Sequence, residues 1–238
     1  MENMDYSSHL IKTNSTKKSQ YWQVIRGICI LAVIMIHCPT GQAYSSVDYG
    51  IWMVFRQIIN FPVALFIFMA GYFIKPEKVQ KDCKAFLINR GGRLLIPYLI
   101  WSCVYLTKDA IFGSASIKHV IYALVAGQAA TPFYYIVVLM QLTLLTPCLV
   151  NHRKSWMSLI TPAYLIFIYV YNIAAGRTPL LYETLFPAWF FFYLMGMDCK
   201  AGKFDKMIEK VNVGWIIAAL MLSLVEAFVI FKLDSGKA

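Results

Sequence analysis

Charge is scarce in this chain. Only 14% of its 238 residues are Asp, Glu, Lys or Arg, against 59% hydrophobic residues and a mean hydropathy of +0.59. Soluble domains carry about 25% charged residues, so the shortage excludes an ordinary soluble fold. This much apolar surface needs a bilayer. Metal-ligand spacing is also lacking. The six cysteines, Cys29, Cys38, Cys83, Cys103, Cys148 and Cys199, form no CxxC pair, and most sit in or beside apolar segments where a thiol behaves as a small hydrophobe. Neither disulfides nor a metal are expected. No Ser/His/Asp order and no GxSxG element appears, which argues against a covalent serine mechanism. There is no internal repeat and no low-complexity tract. The first apolar segment follows a basic stretch, yet no small-residue cleavage site lies over Ile36 to Gly41, so it is a retained span and not a signal peptide.

What the chain does have is long apolar runs. A spanning helix needs about 20 mostly apolar residues, and stretches of that kind lie near 22–40, 51–74, 94–112, 132–150, 156–174, 185–199 and 213–231. The sixth is short. The segment Ile117 to Gly127, interrupted by Lys118 and His119, is too short to span and reads as an interfacial or re-entrant helix. The expected fold is therefore all-α, a polytopic transmembrane bundle of about seven spans, with residues 1–20 as a cytoplasmic tail and 21–238 as one membrane domain. With the N-terminus cytoplasmic, the inner segments are 1–26, 75–93, 151–155 and 198–212, and they hold 16 of the 22 lysine and arginine residues. The positive-inside rule favours this orientation, with the C-terminus outside. The net charge of +10 is then a topology signal, and no nucleic-acid partner is expected.

Few polar residues fall within the spans. Arg26 and His37 are eleven residues apart, which on a helix places them within about 20° of one face and about 16 Å apart along the axis. Titratable groups at such depth usually face a cavity or a partner. Arg26 also reads as a positive-inside anchor and His37 as a structural hydrogen bonder, and the residues alone leave both readings open. Arg90 and Arg93 close a loop of sequence Asn89-Arg90-Gly91-Gly92-Arg93 at a helix start, on one side, where they can take phosphate oxygens bidentately. Gly91 and Gly92 would let a ligand approach the backbone. A solvated positive-inside loop is the competing reading. Glu226, inside the last run, reads as an outer-interface residue, and His119 and His152 as surface residues.

Together these pieces resemble the membrane acyltransferase family 3. The resemblance is carried by Arg26 with His37 in the first span, Ala70-Gly71-Tyr72 closing the second, Arg90 with Arg93 before the third, and Pro97-Tyr98 with Trp101. Weaker echoes are Pro132-Phe133-Tyr134-Tyr135, Pro187-Ala188-Trp189 and Tyr193-Leu194-Met195-Gly196. Gln23 stands in a region where the family often has an acidic residue. Family members usually have about ten spans, so the resemblance implies a chain lacking the C-terminal spans.

The resemblance implies transfer of an acyl group, typically acetyl, from cytoplasmic acyl-CoA (acetyl-CoA) as co-substrate to a hydroxyl of a cell-envelope carbohydrate or similar acceptor, in the inner membrane. Arg90 and Arg93 would meet the CoA phosphates, with Arg26 beside them. His37 would act as general base on the acceptor hydroxyl. The competing expectations are a transport or sensor domain and a truncated, inactive remnant. Against transport stands the lack of paired broken helices.

Overall fold

The computed structural model describes residues 20–38, 47–112, 116–177, 179, 181–210 and 212–235. The tail 1–19, the outer end of the first expected span and the last three residues lie outside them, as does the side chain of Glu226. The described residues are helical with no strand: α1 (Gln20–Ile36), α2 (Val47–Ile58), α3 (Pro62–Tyr72), α4 (Pro76–Lys81), α5 (Cys83–Ile111), α6 (Ile117–Ala126), α7 (Tyr134–His152), α8 (Ile160–Ala175), α9 (Phe190–Lys200), α10 (Asp205–Ile208) and α11 (Val213–Ser235). Among them four helical stretches are long and apolar enough to cross a membrane: Gly50–Tyr72, Cys83–Ile111, Thr131–His152 and Ser155–Ala175. The first and last expected spans correspond to shorter apolar stretches, Gln20–Ile36 and Val213–Val225. The sixth shrinks to α9 because Pro187 sits in a 3-10 turn, Phe186–Ala188, that starts the regular helix only at Phe190. Large apolar side chains point outward along the long helices, Ile96 and Ile100 on α5 and Phe167 and Val170 on α8 among them. In water such exposure is unfavourable, and in lipid it is the expected arrangement. This is the architecture of a multi-pass membrane protein.

The chain divides into two compact units, residues 1–66 with 205–238, and 67–204. In the first, α11 packs on α2. On α1, Trp22, Ile25, Cys29, Ala32, Val33 and Ile36 are shielded while the rest of the helix is open. Their spacing follows the helical repeat, so α1 presents one narrow covered stripe.

The second unit is built around α7, which packs on α4, α5 and α6. Its core lies where α3 crosses α9. A Cβ at Gly71 would fall 2.1 Å from the Tyr193 carbonyl oxygen, and one at Gly196 would fall 2.1 Å from that of Phe68. The two glycines therefore let the backbones touch, as small residues do where helices cross closely in membranes. Beside this crossing the fully buried Tyr193 phenol shares a 2.6 Å hydrogen bond with Thr146 on α7, which satisfies two polar groups that lipid could not.

One end of this unit gathers the basic segments. Gln80 Nε2 donates to Asn151 Oδ1 at 3.4 Å, tying α4 to the last turn of α7. Arg153 donates to the Asp198 carboxylate and, at 3.2 Å, to the Leu194 carbonyl. Lys203 pairs with Asp198 at 2.8 Å. Segments 75–93, 151–155 and 198–204 thus share one end, and residues 128–134 and 181–188 lie at the other end of α7.

Candidate functional site

At the basic end a corner in the chain opens a cavity. α3 finishes with a tightened turn in which the Ile74 N–H donates to the Gly71 carbonyl at 3.1 Å, leaving the Ala70 carbonyl without its usual helical donor. Lys75 is extended, Pro76 starts the short α4, and Asp82 breaks the backbone again before α5. The Asp82 carboxylate then caps α5 by accepting from the Ala85 N–H at 2.8 Å. The result is a cavity of about 720 Å³ whose cations are Lys75, Lys78, Lys81, Arg90 and Arg93, against the single carboxylate of Asp82. Ligand sites typically span about 300–1,000 Å³. The lysines recur every three residues. Phe86, Asn89, Arg90 and Arg93 fall at i, i+3, i+4 and i+7 of α5, which is one helix face.

The two arginines have different roles in this wall. Arg90 is half-buried, donates through Nη2 to the freed Ala70 carbonyl at 2.8 Å, and lies 5.8 Å from the Phe86 ring centroid. It fastens α5 to α3 and holds its guanidinium plane in a fixed position beside the cavity. Arg93 is exposed. Pro97 lacks the N–H that would bond the Arg93 carbonyl, so the helix ladder is interrupted at the cavity wall. Both arginines lie well inside α5, Cys83–Ile111, and not in a loop at a helix start as expected from the sequence. The helix runs through Gly91 and Gly92 because the Asp82 cap begins it upstream. A Cβ on either glycine would meet nothing within 4 Å, so this stretch is open to a ligand or to lipid.

At the opposite end is a second cavity, of about 310 Å³, lined by Gln128, Thr131, Tyr134, Tyr182, Glu183 and Thr184, with Leu181. Gly127 caps α6 in the left-handed conformation at φ 68°, and a Cβ there would lie 2.8 Å from Tyr134 Cα. Only glycine lets α6 end this close to the start of α7. The other wall, residues 181–186, is pinned by side chains of its neighbours. Tyr164 Oη donates to the Tyr182 carbonyl at 3.0 Å, Trp189 Nε1 to the Glu183 carbonyl at 2.8 Å, and Gln141 Nε2 to the Thr184 carbonyl at 2.9 Å. Gln141 Oε1 accepts from the Phe186 N–H at 2.8 Å. Tyr182 Oη donates to Glu183 Oε1 at 2.7 Å. Burial pushes the Tyr182 phenol up from its ordinary value, and the bonded Glu183 carboxylate pushes it further, so this phenol remains a hydrogen-bond donor. Leu181 is held at φ 62°, a backbone conformation that leucine rarely adopts.

Of the four site residues read from the sequence, the structure brings together Arg90 and Arg93. Arg26 and His37 belong to the other unit. Both are exposed, on the edge of the shielded stripe of α1 by helical phase. His37 lies one residue past the end of α1, where its N–H donates to the carbonyls of Val33 at 3.3 Å and Ile34 at 3.1 Å. Sequence reasoning had counted Lys75, Lys78 and Lys81 only as topology charges. Their three-residue repeat next to the arginine pair was the signal that they share a site. It had also passed over Glu183, although this is the only acidic residue between Asp109 and Asp198. His119 is exposed as expected and sits 3.6 Å from Asp109.

Comparison with known proteins places the chain in a family. No curated protein and no solved structure matches the chain. The model of the acyltransferase 3 family, described as an acyltransferase domain, matches residues 19–236. The match covers nearly the whole chain and agrees with its apolar, all-helical architecture: the chain belongs to the acyltransferase 3 family.

Proposed function

We propose that this membrane acyltransferase takes its acyl group from a coenzyme A thioester that docks at the basic cavity from the cytoplasm. It passes the group to a hydroxyl of an acceptor reached from the other face. The observation that carries the reading is the cavity itself, with five cations against one carboxylate in about 720 Å³. Coenzyme A bears a diphosphate and a ribose phosphate, and arginine forks with mobile lysine ammonium groups suit such a ligand. Arg90, already fixed by the Ala70 carbonyl, would present its remaining N–H groups without ordering cost, and the lysines would follow the flexible phosphates. The gathering of basic segments at this end supports a cytoplasmic placement for it under the positive-inside rule.

In the transfer step His37, as general base, accepts the acceptor's O–H proton. The oxygen attacks the thioester carbonyl, and the tetrahedral intermediate collapses by breaking the C–S bond. The thiolate leaves and takes the proton from the imidazolium, so the residue ends as it began. Arg26, on α1, supplies positive charge. The acyl group is acetyl and the acceptor a cell-envelope carbohydrate, which is the reading the family resemblance favours.

The test is acetyl transfer from labelled acetyl-CoA in membranes containing the protein. His37→Ala abolishes transfer while the protein still inserts and still binds acetyl-CoA. Retained transfer would remove His37 from the chemistry. Uptake of labelled acceptor into proteoliposomes without transfer would replace the enzyme reading with transport.

A further inference from the structure

The second cavity has the opposite character to the first. Among the described residues it is lined by no lysine or arginine, and its carboxylate, Glu183, has no cation paired with it. A phosphate-bearing donor is therefore repelled here. The remaining lining is neutral and, apart from Leu181, polar, with the phenols of Tyr134 and Tyr182, the amide of Gln128 and the hydroxyls of Thr131 and Thr184. Tyr134 of this cavity opens α7, and Asn151, bonded to Gln80 of α4 at the basic end, nearly closes it, so these two points stand about 26 Å apart along that helix. That is close to the hydrocarbon thickness of a bilayer, about 30 Å. A ligand entering the second cavity arrives from the face opposite the donor.

We propose that this cavity is the acceptor's seat, that it takes a neutral, hydroxyl-rich ring such as a pyranoside, and that the Glu183 carboxylate holds one of the ring's hydroxyls. The inference rests on the acyl-transfer reading for its role in a reaction, and on the cavity's own chemistry for its ligand. A carboxylate is an acceptor only, so it takes an O–H and turns away an anion. Tyr182 occupies Oε1 at 2.7 Å, which orients the group and leaves Oε2 for the ligand. The tyrosine faces supply apolar surface for the C–H side of a sugar ring and the phenols supply its polar edge. The wall is built before the ligand comes. The carbonyls of Tyr182, Glu183 and Thr184 are each held by a side chain from elsewhere in this unit, so little ordering accompanies binding. The strained Leu181 is held in this same wall. Glu183 is a positioning and specificity residue here, and the proton is taken elsewhere.

The experiment uses the full chain in lipid nanodiscs, with saturation-transfer NMR to measure binding of a panel of neutral methyl glycopyranosides, and a separate titration with acetyl-CoA. At least one glycoside binds the native protein, Glu183→Gln weakens it about tenfold, and acetyl-CoA affinity stays unchanged in that variant, which also shows that it is folded. Tyr134→Phe weakens glycosides by a smaller factor with the same unchanged donor affinity. Failure of every glycoside to bind, equal binding by Glu183→Gln, or preference for an alkylammonium ligand over the glycosides would overturn the proposal. Glycoside binding that depends on Glu183 in a protein that transfers no acetyl group would uphold the site and defeat the acyl-transfer reading instead.

Discussion

Gly196→Ala is the sharpest perturbation of the helix crossing that supports the basic cavity. The new methyl carbon would lie 2.1 Å from the Phe68 carbonyl oxygen and 2.8 Å from the Tyr72 backbone nitrogen. Ordinary contact begins near 3.4 Å, so α9 and the end of α3 must part by about 1.3 Å. Both neighbours are backbone, and no side-chain rotation can relieve the overlap. Overpacking of this kind costs about 1–3 kcal/mol, and the parting also stretches the 2.6 Å bond between Tyr193 and Thr146. Loss of a buried hydrogen bond adds about 1 kcal/mol. The total is about 2–4 kcal/mol of stability, readable as a lowered thermal midpoint in detergent or as easier forced unfolding in bilayers. There is a functional consequence too. The same turn of α3 offers the Ala70 carbonyl to Arg90 at 2.8 Å, so the variant loosens the arginine and weakens acetyl-CoA binding several-fold. Gly71→Ala, whose methyl carbon would meet the Tyr193 carbonyl at 2.1 Å, behaves alike. A Gly196→Ala protein with an unchanged midpoint and unchanged donor affinity would refute the crossing and its link to the site.

Other consequences are simpler. Asp198→Asn removes the charge that pairs with Arg153 and Lys203. At a partly buried site this costs about 1–3 kcal/mol of stability, measured by the same midpoint. Gln141→Leu strips the donor from the Thr184 carbonyl and the acceptor from the Phe186 N–H; it lowers stability by about 1–3 kcal/mol and speeds proteolysis within 181–188. Tyr182 has a folded-state pKa raised above its ordinary 10.0, so the folded protein keeps a proton that the unfolded chain releases. Its contribution is fully present below that ordinary value and fades as pH rises beyond it. The difference in stability between the native protein and Tyr182→Phe, followed by denaturant titration, therefore narrows in strongly alkaline buffer and is flat below pH 9.

Much of this could be read from the residues, for reasons that differ by element. The apolar runs were unmistakable because a bilayer demands them, and the pairing of Arg90 with Arg93 followed from their three-residue spacing. Their place inside α5 did not. Two adjacent glycines disfavour a helix by about 1 kcal/mol each, and only the cap by Asp82 and the packing of α5 on α7 show why a helix prevails there. The span count reads as seven from the sequence; four helices among the described residues meet the length and composition of a span, α9 is short because Pro187 delays its start, and the first and last runs appear there as shorter apolar stretches. The second cavity left no local trace. Its walls come from residues 128–134 and 181–184, which lie about fifty residues apart in the sequence and are brought together by packing on α7.

The proposed function turns on the basic cavity receiving the donor. Its most direct test is equilibrium binding of acetyl-CoA to nanodisc-held protein in which Lys75, Lys78, Lys81 and Arg93 are replaced by Ala, leaving the structural Arg90 in place. Each exposed charge contributes about 0.2–1 kcal/mol, so the fourfold variant loses about 0.8–4 kcal/mol and should bind about 4- to 800-fold more weakly, with a flatter dependence on salt. Native affinity and native salt dependence in that variant would contradict the account.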